Sequence, residues 1–190
     1  MGDIEQSPTH AKGRSEAFAV RVASCIGDVA AADWDACAQG PKPTLPGAPY
    51  SPNPFISHAF LEAMEASGSA TGATGWLPHH LLLEDRSGAL VGCMPCYLKS
   101  HSLGEYVFDH GWAEAYAHAG GRYYPKLQAS VPFTPVTGRR LLVRPGVDQA
   151  AGETILLRAA IEVTDRLGLS SLNITFFTRE EWERAGEISL

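Results

Sequence analysis

The residues best suited to chemistry lie in one segment, residues 99–142, where aromatic side chains alternate with Lys, His, Glu, Asp, Gln and Thr. Glycines and prolines interrupt this run, so it is not a plain core strand or helix. Ligand pockets have this composition, because rigid apolar walls carry a few aimed polar groups. The sequence therefore predicts a pocket built by residues 101–140.

Four side chains in this segment are candidate bases, His101, Glu105, Asp109 and His110, and the last three are the predicted catalytic residues. Carboxylates and imidazoles are the usual general bases for deprotonating an amine nucleophile. Asp109 directly precedes His110, and the two would form an oriented carboxylate–imidazole arrangement. The alternative is that Asp109 caps a following helix while His110 hydrogen-bonds to the backbone.

A second group of side chains is suited to binding. In an extended conformation Tyr124, Lys126 and Gln128 share one face, and Lys126 would meet a phosphate or carboxylate of a ligand. The alternative is that the tyrosines pack in the core and Lys126 is a surface charge. An arginine pair with two threonines would clamp an anionic group, or form a strand-entry turn. The predicted substrate-binding residues are His101, Tyr123, Tyr124, Lys126, Gln128, Thr134 and Arg139.

The histidines and cysteines do not have the spacing of a metal site. His101, His110 and His118 lie nine and eight residues apart, which matches no regular element, and we predict no metal. Cys93 and Cys96 form a CxxC sequence inside a strand-like run, where side chains three positions apart point to opposite faces. This pattern predicts buried thiols rather than a redox pair.

Hydrophobic periodicity predicts the elements that position these residues. A proline-rich loop is expected at 41–54, and the 139–177 unit is expected to be a right-handed crossover between parallel strands. The fold class is α/β with a mixed sheet (α+β), in the order β-α-α-β-β-β-α-β. Strands are predicted at 18–26, 79–85, 89–100, 105–109, 139–145 and 170–177, and helices at 31–38, 54–68, 112–120, 153–168 and 179–186.

Composition limits the class of protein. The chain of 190 residues carries a formal charge of −6, which disfavours duplex DNA and an anionic membrane as main partners. It has no apolar run of about 20 residues that would span a membrane, and its N-terminus lacks the apolar region of a secretory signal. We therefore predict a cytoplasmic protein with a disordered tail at 1–16 and one domain at 17–190.

The segment LLVRPGVDQAAGETILLRAAIEVTDRLGLSSLNITF resembles the acyl-CoA segment of the GNAT acyltransferase superfamily. There, a strand ending in Val-x-Pro leads to a glycine-containing turn that binds pyrophosphate through backbone N–H groups. The resemblance implies that Gln149 and Gly152 contact the donor. The alternative is a plain crossover turn, because Thr154 replaces a small residue and two carboxylates flank the turn, Asp148 and Glu153.

A closer resemblance, over residues 53–175, is to the FemAB-like branch of GNAT proteins, which is associated with peptidoglycan biosynthesis. It is carried by NPFISHAFLEAMEASG, GWLPHHLLLED, YLKSHSLGEYVFDHGWAEAYAHAGGRYYPKLQ and VPFTPVTGRRLLVRP. It implies an N-acyltransferase that moves an acyl or aminoacyl group from acyl-CoA or aminoacyl-tRNA to an amine acceptor. No permanently bound cofactor is implied.

The same resemblance sets an expectation about completeness. The chain is expected to be the N-terminal half of a FemAB-like protein, truncated before the last two strands of a GNAT fold. An exposed sheet edge would then favour a homodimer. The alternative function is a non-catalytic substrate-recognition or assembly module with a degenerate acyl-CoA site.

Overall fold

The computed structural model describes residues 18–39, 52–106 and 109–188, and these contain eight strands and five α-helices. The strands are β1 (Ala19–Ala23), β2 (Trp76–Pro78), β3 (His80–Glu84), β4 (Leu90–Met94), β5 (Cys96–Lys99), β6 (Lys126–Ala129), β7 (Leu142–Val143) and β8 (Leu172–Ile174). The helices are α1 (Ala31–Ala38), α2 (His58–Ala66), α3 (His110–His118), α4 (Gln149–Arg166) and α5 (Arg179–Glu187).

One long hairpin, bent in the middle, joins two four-stranded sheets. The first sheet has the order β1-β3-β4-β7 and the second has the order β2-β5-β6-β8. The hairpin changes sheets at His79 and Pro95, and the N–H of His79 donates to the carbonyl of Cys96 at 2.8 Å across the bend. Pro95 has no N–H to donate, so the ladder breaks where it stands.

The β4–β5 side of this bent hairpin pairs with two consecutive strands, β6 and β7. Ala129 of β6 pairs with Cys96, and Leu142 of β7 pairs with Cys93. Residues 130–141 between them are looped out of the sheet. The excursion places this loop beside the bend, where the two sheets diverge.

Helices cover both faces of the first sheet but only one face of the second. α4 packs on a common face of both sheets, in a core that includes Leu81, Leu127 and Leu156. α1 and α2 cover the opposite face of the first sheet, where the fully buried Trp34 donates from Nε1 to the carbonyl of Ile56 at 2.9 Å. The remaining face of the second sheet is covered by the segment that precedes α3.

The mixed α/β class is confirmed, and so are all five predicted helices, four of them with shifted bounds. The helix predicted at 153–168 begins at Gln149, because the side chain of Asp148 accepts from the N–H of Ala151 and caps it. The helix predicted at 54–68 is interrupted at Ser57, which caps α2. The predicted tail at 1–16 and most of the predicted loop at 41–54 lie outside the described residues.

Two strand predictions are wrong. β7 and β8 belong to different sheets, so the 139–177 unit is not a crossover between paired parallel strands; β8 pairs in parallel with β6 instead. The reason is the 130–141 excursion, which moves β7 onto β4. In the predicted strand at 105–109, the described residues Glu105, Tyr106 and Asp109 form no strand.

Two further features bear on expectations from the sequence. Cys93 and Cys96 are buried free thiols that face different cores, as strand alternation predicted. Within the described ranges, no helix is both long and apolar enough to cross a membrane.

Gly152 permits close packing of α4 on the first sheet. A Cβ at this position would lie 2.9 Å from Cγ2 and 3.0 Å from Cγ1 of Val143 in β7. These contacts are shorter than side-chain carbons tolerate, and a β-branched valine cannot swing away easily. The glycine is therefore explained by helix–sheet packing.

We predict that Gly152→Ala destabilises the protein by about 1–3 kcal/mol through overpacking, although alanine favours a helix by about 1 kcal/mol. Gly186 of α5 is the control, because a Cβ there meets nothing within 4 Å, and Gly186→Ala should be neutral or stabilising. Urea unfolding of both variants measures the difference. Equal stabilisation by the two substitutions would contradict the packing role.

Candidate functional site

The face of the second sheet opposite α4 carries a row of polar side chains. Register places Trp76, Lys99 and Lys126 opposite one another on β2, β5 and β6, so all three share this face. The next row along the strands includes Tyr97 and Gln128. All five side chains are buried, and the two lysines are 0% and 2% exposed. Buried lysines are rare unless they are paired.

The segment before α3 supplies the partners of these lysines. Lys126 Nζ donates to Glu105 Oε2 and to Asp109 Oδ2, each at 2.8 Å. Lys99 Nζ lies 3.9 Å from Glu105 Oε1 and donates to the carbonyl of Leu103 at 3.2 Å. Lys99, Glu105, Asp109 and Lys126 thus form one buried charge cluster, in which no residue is more than 4% exposed.

Asp109 is held by two tyrosines in addition to Lys126. The hydroxyl of Tyr123 donates to Oδ2 at 3.1 Å, and that of Tyr124 donates to Oδ1 at 3.2 Å. The Tyr124 hydroxyl also contacts Ser102 Oγ. Both oxygens of Asp109 are therefore hydrogen-bonded. Its bonds to Tyr123, Tyr124 and Lys126 fix the orientation of the carboxylate.

Glu105 is held less completely. Its Oε2 accepts from Lys126, but its buried Oε1 has no hydrogen-bond partner. An unpartnered buried carboxylate oxygen is costly, and it is also free to accept a proton from a ligand. Among the four carboxylate oxygens of the buried charge cluster, this atom is the one without a hydrogen-bond donor.

The environment moves the pKa values of the two carboxyl groups apart. Burial raises the pKa of Glu105, and Lys126 and Lys99 offset this only in part. Burial also acts to raise the pKa of Asp109, but hydrogen bonds from Lys126, Ser102 and Tyr123 lower it to about 2. Two carboxyl groups whose proton affinities differ in this way are suited to separate roles, one as base and one as fixed anion.

The two lysines differ in the same manner. Burial lowers the pKa of Lys99 to about 8, opposed by Glu105 and aided by the charge of Lys126. Burial acts on Lys126 in the same direction, but its bonds to Asp109 and Glu105 outweigh it and raise its pKa. Lys126 thus stays protonated, whereas the pKa of Lys99, about 8, lets it exchange its proton near that pH.

The structure brings together five of the residues singled out from the sequence and adds three others. Glu105, Asp109, Tyr123, Tyr124 and Lys126 meet in or beside the buried charge cluster. The added residues are Lys99, Ser102 and Trp76; Lys99 Nζ lies 3.6 Å from the centroid of the Trp76 ring. The sequence signal that could have identified Lys99 is its position at the end of an otherwise apolar strand.

Other predicted site residues lie apart from the buried charge cluster. His110 is the exposed first residue of α3, and His101 Nδ1 accepts from the N–H of Leu103 at 3.2 Å. Thr134 Oγ1 donates to the carbonyl of Pro132, and Arg139 lines a separate cavity of about 410 Å³. Gln128 lies in the next row and donates from Nε2 to Thr175 Oγ1 at 3.1 Å. Their roles in binding or catalysis stay predictions.

The predicted donor-binding residues belong to α4, on the other side of the second sheet. Gln149 donates from Nε2 to Glu153 Oε1 at 2.6 Å, and Gly152 packs on Val143. The N–H of Ala151 is already bonded to Asp148. Contact of Gln149 and Gly152 with a donor also stays a prediction.

Comparison with known proteins gives one family match. The FemAB-like family, described as peptidoglycan biosynthesis/recognition, matches residues 25–190. No curated protein matches the chain. A crystal structure of a Trypanosoma brucei acetyltransferase is 12% identical, covers 92% of each chain and has a TM-score of 0.47. A likeness of that size carries no conclusion about this chain.

The lowered pKa of Lys99 predicts a pH dependence of stability. The ordinary pKa is 10.5 and the folded one is about 8, so between these pH values the unfolded chain binds more protons. Stability conferred through this group therefore rises as pH increases from about 8 to 10.5, and is constant below that window. The free energy of unfolding of the wild type, minus that of Lys99→Met, should show this rise in urea titrations. A difference independent of pH would contradict the assignment.

Proposed function

Because the chain belongs to the FemAB-like family, we propose that it is an acyltransferase-type protein of peptidoglycan metabolism, which moves an acyl or aminoacyl group onto an amine. The observation that carries this proposal is the buried charge cluster. It combines a carboxylate with an unpartnered oxygen and two lysines on one sheet face. These groups suit amine acylation, since a carboxylate can accept the amine proton and cations can stabilise the oxyanion.

In the proposed reaction, groups of the buried charge cluster accept the proton and stabilise the charge. The acceptor amine attacks the acyl carbonyl carbon, a C–N bond forms, and the carbonyl π electrons move to oxygen. Glu105 Oε1 accepts the proton that the amine loses. The tetrahedral intermediate collapses, the bond to the thiol or hydroxyl leaving group breaks, and Glu105 returns the proton to that sulfur or oxygen.

The lysines stabilise the oxyanion of this intermediate. Lys126 does so as a permanent cation, held in place by Asp109, which the two tyrosines orient. Lys99 exchanges its proton near pH 8, so it adjusts the charge beside Glu105 while packing on Trp76. A preorganised cation in a dry site stabilises developing charge far more than a solvated one does.

The donor and the assembly of the protein belong to the same proposal. Acyl-CoA and aminoacyl-tRNA both supply an activated carbonyl, and neither is bound permanently. We take β8 as the candidate for the predicted sheet edge, because it pairs with β6 and, within the described ranges, has no strand on its other side. A homodimer through this edge and a cytoplasmic location stay predictions.

One observation favours the alternative, a non-catalytic recognition or assembly module. The carboxylate of Asp148 already occupies the N-terminus of α4, where the GNAT resemblance placed the donor pyrophosphate. A protein of this second kind would bind peptidoglycan fragments without transferring a group to them. The test below separates the two functions.

We predict that Glu105→Gln lowers the rate of transfer by about 10²–10⁴-fold, because the amide cannot accept the amine proton. The assay uses labelled acetyl-CoA and alanyl-tRNA as donors and soluble peptidoglycan fragments as acceptors. Glu114→Gln is the matched control, because Glu114 is exposed on α3. It should leave the rate unchanged.

Transfer at the wild-type rate by Glu105→Gln would refute the assignment of the base. A wild-type protein that binds the fragments but uses neither donor would favour the recognition module.

A further inference from the structure

A cavity of about 410 Å³ lies where the end of α1 meets the loop that leads into β7. Its volume is within the range of pockets that hold small molecules. Residues 136–139 of the loop form part of its lining, and Asn53, Phe55 and Ile56, just before α2, form another part. The lining thus combines apolar side chains with polar ones, and none of its described residues is an Asp or a Glu.

Arg140 holds this loop in place. The sequence predicts either an anion clamp or a strand-entry turn for the arginine pair, and Arg140 forms the turn. Its side chain is fully buried, and Nη1 donates to the carbonyls of Gly138 and Arg139 at 3.0 Å and 3.1 Å. Its Nη2 donates to the carbonyl of Val136 at 2.8 Å. Arg140 is therefore committed to the backbone of the loop, whereas Arg139 lines the cavity.

The guanidinium group of Arg139 has hydrogen-bonding capacity that the fold does not use. Its Nη2 donates to the carbonyl of Leu141 at 2.8 Å, but Nη1 is buried and has no partner among the described residues. Glu153 Oε1 lies 4.0 Å from Nη2, and that carboxylate is already bonded to Arg184 and Gln149. The side chain as a whole is 20% exposed, so a rotation of its end would bring Nη1 to the cavity. An acceptor that enters the cavity would remove the cost of this unpartnered donor.

Asn53 supplies a second donor to the cavity. Its Oδ1 accepts from the N–H of Phe55 at 3.0 Å, which leaves the Nδ2 end of the amide to donate elsewhere. A Cβ at position 138 would lie 2.5 Å from Nδ2, so the glycine there lets the amide pack against the loop. Asn53 Nδ2 therefore lies beside the residue that precedes Arg139.

We propose that this cavity binds an oxyanion, a carboxylate or a phosphate group, that is attached to an apolar body. A guanidinium group offers paired N–H donors that match two oxygens of such an anion, and the amide of Asn53 adds a donor. The apolar part of the lining, which includes Phe55, contacts the attached body. The site is distinct from the buried charge cluster, and its assignment does not rest on the proposed function.

The test is an NMR titration of the full chain with three probes of the same shape class. Benzoate carries a carboxylate, phenyl phosphate carries a phosphate, and benzamide is the uncharged control. The side-chain signals of Asn53 Nδ2 and Arg139 Nε should shift with saturation on addition of an anion, and benzamide should bind at least about tenfold more weakly. Whichever anion binds more tightly identifies the source of the oxyanion.

Two substitutions should weaken binding of the preferred anion. Asn53→Asp keeps the oxygen that accepts from Phe55 but replaces the donor by a negative oxygen, so the affinity should fall about tenfold or more. Arg139→Gln removes the cation and should weaken binding about 10- to 100-fold. Arg166→Gln is the matched control, because it removes the same charge from a 76% exposed side chain of α4 that does not line the cavity. It should leave the affinity unchanged.

Circular dichroism shows which variants stay folded, and a folded variant with wild-type affinity would overturn the site. So would a wild type that binds neither anion, that binds benzamide as tightly as benzoate, or whose shifts on titration avoid Asn53 and Arg139. These last three results are read from the wild type alone, so they decide the matter even if a variant does not fold.

Discussion

The burial of two ammonium groups on one sheet face is the constraint from which the site follows. Lys99 and Lys126 lie side by side on β5 and β6 and are almost fully excluded from solvent. An unpaired buried charge is far too costly, so the segment before α3 must bring Glu105 and Asp109 onto them. α3 itself contributes no buried side chain. Its position therefore depends largely on these ion pairs and on the ring contact between Tyr116 and Tyr123.

The bent hairpin explains why the polar face exists in this place. The first sheet is covered by helices on both faces and packs mostly apolar side chains, whereas beyond the bend the second sheet has a helix on one face only. The segment before α3 covers the other face instead. Because it is a loop, its backbone carbonyls are available to accept hydrogen bonds, as its side chains are. The carbonyl of Leu103 accepts from both Lys99 Nζ and Trp76 Nε1, at 3.2 Å and 3.1 Å. The bend thus links the topology of the sheets to the chemistry of the site.

Local sequence predicted the composition of the site better than its geometry. Glu105, Asp109 and Lys126 were found because carboxylates, phenols and an ammonium are concentrated in one aromatic segment. Lys99 was missed because its role depends on strand register, which pairs it with Lys126 across 27 positions of sequence. The crossover prediction failed for the same kind of reason: the looped-out residues 130–141 change the partner of β7, and no local pattern reveals such a non-local choice.

The central claim is that Lys126 bonds to both carboxylates but only Asp109 has a lowered pKa. Glu105, whose pKa is raised, is therefore the base. The most direct measurement is a titration of both side-chain carboxyl carbons by ¹³C NMR in the folded protein. The account predicts that Glu105 titrates above its ordinary pKa of 4.5, while Asp109 titrates at about 2. Titration of both groups at their ordinary values, 4.5 and 3.8, would show that the buried charge cluster does not form and would contradict the account.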